Sequence, residues 1–347
     1  MASRSPSAAS TIKHVAARAG VSYTTVSHVL NGTRRVSAVT RQRVEAAAAE
    51  LAYAPSAVAR ALKNSRTRMV GVLVPNITNP FFAELTRGIE DCCQRADYGV
   101  FLCNSDDAPE RQARYLQTLV ERRVDGLLLA APAGEPEALV QRLAAAHAPI
   151  VVIDRELPGL AARLVRVDHR GGARLAVEHL LSLGHRRIAC LSGPSSFAVS
   201  RLRAAGWRDG LEAAGLQPDP QLLLEGDFDA AVGHALARQL LARGDVTAIV
   251  AGNDLMAIGA LRAAAELGLA VPQAVSIVGF DSIDLGAYTY PPLTTVGHRI
   301  AAIGEAAASL LLGMLSDPDA AHEDVMVPVS LIERASSGVA PRKVASA

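Results

Sequence analysis

A small all-helical head followed by a larger body of two α/β lobes with parallel sheets is the fold class this sequence predicts. Three observations predict it. Residues 1 to 68 hold eleven Lys or Arg against two acids, Glu45 and Glu50, a local charge of +9, whereas the remainder carries 24 basic and 32 acidic residues, or −8. Short helical patterns with capping residues fill the basic stretch. From Arg68 onward, apolar runs of strand length alternate with helical periodicity. At 347 residues the chain has material for two or three domains with large cores.

The first ten residues, "MASRSPSAAS", read as a loose, disordered tail without the apolar stretch of a secretory signal. Thr11 suits an N-cap, and Ile12, Val15, Ala16 and Ala19 then share one helical face. Gly20 breaks the run and permits a sharp turn. Ser22 caps a second helix in which Val26, Val29 and Leu30 face inward, leaving Tyr23, Thr24, Ser27 and His28 together on the opposite face. Asn31-Gly32 ends that helix. Ser37 caps a third, with Val44, Ala47, Ala48 and Leu51 as its apolar stripe.

Helix, tight glycine turn, helix and a supporting helix make a helix-turn-helix, whose second helix enters the DNA major groove. The basic charge agrees, because neutralising phosphates releases counterions. So does the polar face, with hydroxyls for phosphates and Tyr and His for base edges. A merely solvated helix surface is the competing reading, and it leaves the agreement of turn, charge and face unexplained.

In "YAPSAVARALKNSRTR", residues 53 to 68, Pro55 and Ser56 start a short helix through Leu62. Two turns are too short to be stable alone, since helix nucleation is costly. Such a hinge helix folds only with support, such as a second copy of itself on DNA, and Leu62 beside Lys63 then becomes an apolar wedge for a minor-groove step. The competing reading is an interdomain linker.

"TIKHVAARAGVSYTTVSHVLNG", "YAPSAVARALK" and "GVLVPNITNPFFAELTRGIE", in that order, resemble the lac-repressor family of bacterial transcription regulators, and the resemblance runs over residues 11 to 335. It implies a homodimer that binds a pseudo-palindromic double-stranded operator, with a small molecule controlling affinity. It also implies a body of the periplasmic-binding-protein-like (type I) kind. The DNA-contacting set is then Thr11, Ser22, Tyr23, Thr24 and Thr25, with Ser27, His28, Asn31 and Arg35. Ala61, Leu62 and Lys63 are added by the hinge helix. Within it, Tyr23, Thr24 and His28 fall where family members read bases, and Leu62 where they wedge the central step. His28 stands where many members have Arg, which points to the purine and ribose repressor branch. His14 replaces the family's usual Asp in the first helix.

The expected boundaries are 11–54 for the head, 55–68 for hinge and linker, and 69–335 for the effector-binding and dimerisation body. Within the body, the N-lobe takes about 69–167 plus 298–324 and the C-lobe about 168–297 plus 325–335, with a flexible tail over 336–347.

The runs "MVGVLVP", "GVFLCN", "DGLLLA", "PIVVID", "RIACLSG", "AIVAG" and "VSIVGFD" support that body independently. Apolar strands separated by helices form parallel sheets covered on both faces, and the units are too many for one compact sheet. Ligands of such sheets bind beyond the carboxyl ends of the strands. Those ends supply Asn79, Phe81, Phe82, Asp154, Arg155, Arg201, Phe228, Asn253 and Asp281. Aromatic faces cover a sugar's C–H surface, and Asp, Asn and Arg satisfy its hydroxyls. Strand-end Asp and Asn also cap helices, and a Phe can simply be core. The set is similar to the cleft of ribose-binding proteins, except that His298 in "TTVGHR" stands where that pattern usually has Gln. Ribose or a related pentose is therefore the favoured effector, acting as inducer, with a purine-type corepressor as the alternative.

No G-x-S-x-G elbow, Walker A loop or H-E-x-x-H stands in the sequence, so an α/β enzyme is a remote reading. Cys92, Cys93, Cys103 and Cys190 lack C-x-x-C metal spacing, and no cofactor or metal is expected. Cysteine usage and the lack of a membrane-spanning run fit a cytoplasmic protein. The tail "GVAPRKVASA" shows no heptads, which favours a dimer over a tetramer.

Overall fold

The computed structural model describes residues 10–32, 34–53, 66–132, 136–144, 146, 148–157 and 159–341. The chain divides after Arg68 into two compact units. In the first, α1 (Ile12–Ala19), α2 (Tyr23–Asn31) and α3 (Ala38–Glu50) close over Val15, Val26 and Val44, all fully buried. The Ser22 and Ser37 hydroxyls cap α2 and α3, accepting from the N–H groups of Thr25 (3.1 Å) and Thr40 (3.3 Å). Gly20 holds a left-handed φ of 64°, and a Cβ there would strike the Arg43 guanidinium. That guanidinium donates to the Ala19 carbonyl at 2.5 Å, which ties α3 to the end of α1. His14 Nδ1 accepts from the Thr11 backbone N–H at 3.3 Å, so an imidazole takes the part that Glu or Gln plays in a capping box. Ala61, Leu62 and Lys63, with the hinge helix expected around them, lie outside the described residues.

The second unit has strands β1 (Met69–Val74), β2 (Gly99–Asn104), β3 (Gly126–Ala130), β4 (Ile150–Ile153), β5 (Ala162–Val167) and β6 (Ile188–Ser192). They are followed by β7 (Leu223–Glu225), β8 (Ala248–Ala251), β9 (Ser276–Asp281), β10 (Thr294–Gly297), β11 (Val325–Val327) and β12 (Ser330–Ile332). Its helices are α4 (Pro80–Arg95), α5 (Pro109–Glu121), α6 (Pro136–Ala144), α7 (His169–Ser182), α8 (Ala198–Ala213), α9 (Ala230–Leu241), α10 (Asp254–Glu266) and α11 (Ile300–Ser316).

Two six-stranded sheets result, one per lobe: β11-β5-β4-β3-β1-β2 and β12-β10-β9-β8-β6-β7. Pairing is parallel throughout except for antiparallel β12. The apolar runs are unbroken because both sheet faces are covered. Along β3, Leu127 and Leu129 enter one core cluster while Leu128 and Ala130 enter the other.

The chain passes between lobes after β5, after β10, and between β11 and β12. β11 pairs with β5 through Val325–Val165 and Val327–Val167, and so extends the N-lobe sheet. The last change of lobe, expected at 324–325, therefore falls between Val327 and Ser330. A three-residue strand has too little pattern to be assigned to a lobe from sequence.

His185, a lone loop histidine in the sequence, is completely buried. Its Nδ1 lies 3.0 Å from Thr247 Oγ1, and its Nε2 lies 3.0 Å from both Ser276 Oγ and the Gly338 carbonyl. One ring thus joins the entries to β6, β8 and β9 to the C-terminal segment. Burial lowers its pKa from 6.5 despite the Gly338 carbonyl, so the folded chain binds fewer protons than the unfolded chain. Its contribution to stability is therefore full above 6.5 and lost as pH falls from there through the lowered pKa of the folded chain. His185→Ala is expected to lower the unfolding free energy by about 2–4 kcal/mol in urea titration at pH 8, by stranding three buried polar partners. The gap between variant and wild type narrows toward pH 5.

Candidate DNA-reading face and effector cleft

On α2, Tyr23 and Thr24 are exposed, Ser27 and His28 half-buried, and Val26 and Val29 buried. At about 100° per residue the four polar positions share one arc, opposite the valines. Tyr23 is 64% exposed. Thr11 and Arg35 are exposed as well, and Asn31 ends α2. The Ser22 and Thr25 hydroxyls lie 2.9 Å apart within the N-cap, so a phosphate approaching them meets a pre-arranged pair of hydroxyls at a positive helix end.

In the body, strand-end residues from both lobes converge on an arginine that the sequence reading passed over. Asp154 follows β4 and Asp281 ends β9, with φ values of 60° and 101°. Left-handed backbone at two non-glycine residues costs energy and marks a site held by its surroundings. Between the two stand His169, the first residue of α7, and Arg203 on α8. His169 Nε2 lies 3.1 Å from Asp154 Oδ1, obliquely to a hydrogen-bond line. His169 Nδ1 lies 3.3 Å from Arg203 Nε and 3.2 Å from Nη2. Arg203 Nη2 donates to Asp281 Oδ1 at 2.7 Å, and Nη1 to the Gly252 carbonyl. The guanidinium carbon sits 3.8 Å from the Phe280 ring centroid and 5.9 Å from that of Phe228.

The other strand-end residues make contacts of their own. Asn79 Oδ1 caps α4 through the Phe81 N–H at 3.0 Å. Asn253 caps α10 through the Met256 N–H at 2.9 Å and donates to the Phe228 carbonyl at 3.2 Å. Phe81 and Phe82 meet edge to face at 5.1 Å and pack against the N-lobe core. Arg155 donates to the Pro132 carbonyl. His298 Nε2 is buried without a hydrogen-bond partner among the described residues.

Arg201 does not join them. Its Nη1 donates to the carbonyls of Ser195 (2.7 Å) and Ser196 (2.9 Å) on the exposed side of α8. Helical phase is the reason: Ser200, Arg203, Ala204 and Trp207 form the buried face, and Arg201 lies off it. The phase relative to Trp207 is the signal that selects Arg203 over Arg201. His169 had no such signal, since "DHRGG" reads only as a helix start.

Electrostatics separates the two carboxylates. Burial pushes Asp154 up, but His169, the Val167 N–H and Arg203 outweigh it and hold that carboxyl below its usual range. For Asp281 burial prevails, and its pKa is raised even beside Arg203 and His169. Asp254 is pushed up to about 8 by burial and by Asp281, against the Thr295 hydroxyl and the Ile283 N–H that it accepts at 2.5 and 2.8 Å. Burial lowers His298, with Asp154 raising it and His169 lowering it further. The Asp254-held segment places Ile283, a C-lobe residue, inside the N-lobe core cluster. A cavity of about 10 Å³ beside Arg203, lined by Ser200, Phe228 and Phe280, holds at most one water and is far too small for a sugar.

Residues 11–56 match the model of the bacterial regulatory proteins of the lacI family, and 177–337 that of the periplasmic binding protein-like domain. The chain is 39% identical over 308 residues to the HTH-type transcriptional repressor PurR of Aliivibrio salmonicida, covering 88% of this chain and 92% of that one. The chain belongs to the lacI family of bacterial regulatory proteins. It is 38% identical over 333 residues to the ribose operon repressor of Escherichia coli, covering 94% of this chain and 99% of that repressor. The lac repressor dimer bound to operator and the anti-inducer ONPF superposes with a TM-score of 0.86 at 34% identity, covering 95% and 99% of the two chains. An Enterococcus faecium lacI-family regulator with bound ribose gives 0.71 at 35%, covering 78% of this chain and 99% of that one. As a member of this family the protein is a DNA-binding transcriptional repressor and not an enzyme. Among the described residues no helix is long and apolar enough to cross a membrane.

Two measurements check the site. Arg203→Lys retains a charge but loses the planar fork that serves Asp281, His169 and the Gly252 carbonyl together, and urea titration is expected to show the unfolding free energy falling by about 2 kcal/mol or more, with Arg201→Ala staying within about 0.5 kcal/mol of wild type. Asp254, whose pKa is raised from 3.8 to about 8, stabilises the fold most below pH 3.8 and loses that contribution as pH rises from there through about 8. Asp254→Asn, which cannot ionise, is expected to gain melting temperature relative to wild type as pH rises from about 4 to about 8.

Proposed function

We propose that the protein works as a cytoplasmic homodimer on a pseudo-palindromic operator and is released by a sugar, ribose or a related pentose, bound between the lobes. The α2 face carrying Tyr23, Thr24, Ser27 and His28 reads base edges, Leu62 of the hinge wedges a central step, and exposed head hydroxyls and arginines hold phosphates. The observation that carries the ligand reading is the Asp154–His169–Arg203–Asp281 chain flanked by Phe228 and Phe280. Paired carboxylates accept from vicinal hydroxyls, a guanidinium donates to them, and aromatic rings cover the C–H face. Asn79, Arg155, Asn253 and His298 add polar groups at the rim, and Phe81 and Phe82 add a second apolar wall.

Support for ribose comes from likeness to the ribose operon repressor and to the ribose-bound Enterococcus regulator. Likeness to the repressor PurR differs by one percentage point, 39% against 38%, so identity alone does not choose between them. The two carboxylates, which accept from hydroxyls, favour the sugar. Because Asp154 of one lobe and His169 of the other touch one another directly, a sugar can enter only if the lobes move apart. Binding is thereby tied to lobe orientation.

The test uses fluorescence anisotropy at fixed salt on a duplex selected by the full-length protein from random sequence. D-ribose is expected to weaken the complex by about five- to 150-fold, the range of an allosteric coupling. If ribose does nothing and hypoxanthine tightens the complex, the purine corepressor reading replaces this one. Tyr23→Ala with His28→Ala is expected to remove about 10-fold or more of the discrimination between selected and scrambled duplexes while leaving ribose affinity unchanged.

A further inference from the structure

We propose that His169 is a positioning residue of the effector cleft: an imidazole with its proton fixed on Nε2 that sets Asp154 of one lobe against Arg203 of the other. The inference rests on the reading of this cleft as the effector site.

The tautomer follows from the neighbours. Every guanidinium nitrogen is a donor, and two of them, Arg203 Nε and Nη2, lie 3.3 and 3.2 Å from His169 Nδ1. The nitrogen that faces them must therefore be an unprotonated acceptor. The single ring proton then sits on Nε2, 3.1 Å from the acceptor-only carboxylate of Asp154. Turning the ring over would set C–H groups against both partners. The imidazole is 4% exposed and packs against the Phe280 ring at 5.8 Å, so its environment offers no exchange with solvent for either contact.

Its place in the chain explains what the ring does. His169 opens α7 immediately after the first passage between lobes, and Asp168 pins that helix start through the Gly171 N–H at 2.9 Å. Arg203 and Asp281 stand on C-lobe elements as well, so those three keep their spacing as a group. Asp154 stands at the end of an N-lobe strand. The His169–Asp154 contact is thus the joint of this chain that changes when one lobe moves against the other, and the oblique 3.1 Å approach is a contact with room to tighten or part. A ligand engaging both Asp154 and Arg203 needs them at one spacing, and His169 sets it.

Two readouts test this. Long-range 15N NMR of the full-length, histidine-labelled protein, with His169→Asn to assign the signal, is expected to show a proton on Nε2 alone, at a frequency that moves in Asp154→Asn. Calorimetry is expected to show D-ribose binding about ten- to a hundredfold weaker in His169→Ala, the range of one hydrogen bond to a charged group. His169→Asn, which can turn its oxygen to Arg203 and its amide to Asp154, is expected to recover most of that loss. Melting curves of the variants separate unfolding from lost positioning. A proton on Nδ1, or ribose affinity unchanged in a folded His169→Ala protein, would overturn the proposal. If the wild type itself ignores ribose, the effector reading fails, and the NMR arm decides alone: a signal that moves in Asp154→Asn upholds the His169 joint, and one that does not move overturns it.

Discussion

A buried guanidinium organises this molecule. Arg203 lies 3.8 Å from the Phe280 ring, and burying such a charge is costly unless it is paired and fully hydrogen-bonded. Asp281, the Gly252 carbonyl and His169 provide the compensation, and each is placed by a different element. The left-handed backbone of Asp281 and Asp154 is part of that arrangement, since it aims both carboxylates inward. Losing one partner from such a pair leaves the other uncompensated, at about 3–5 kcal/mol. The strand ends of both lobes are thereby tied to a single cation.

Much of this was legible in the chain and some was not, for physical reasons. Continuous apolar runs marked the parallel strands because each is covered on both faces, and Ser22 and Ser37 announced their helices because an N-terminal N–H needs an acceptor. Asp154 and Asp281 were visible as polar residues ending apolar runs. Arg203 was missed in favour of Arg201, two positions away, because strand-end logic takes no account of helical phase, whereas Trp207 four residues on fixes which face is buried. β11 was assigned to the wrong lobe because three residues carry no period. His169 was invisible because its role is created by two residues distant in sequence. His14 shows the reverse case, where an imidazole in place of Glu or Gln closes a capping box.

The division of charge gives the same chain two partners of opposite needs. A basic head seeks a polyanion over a distance set by ionic strength. The body holds its buried charges against partners, Asp281 against Arg203 and Asp154 beside His169. Asp254 joins the two lobes locally: it holds the Ile283 N–H, and Ile283 is seated in the core of the other lobe. Asp281 therefore stands two residues from an interlobe contact.

If cleft and head are coupled through lobe orientation, the coupling must be reciprocal. The most direct measurement is a calorimetric titration of D-ribose into the free protein and into the protein saturated with its selected operator. The account predicts weaker ribose binding in the operator complex, by the same factor by which ribose weakens operator binding. Equal ribose affinity in the two titrations would contradict it, because a ligand that does not distinguish the DNA-bound form cannot release it.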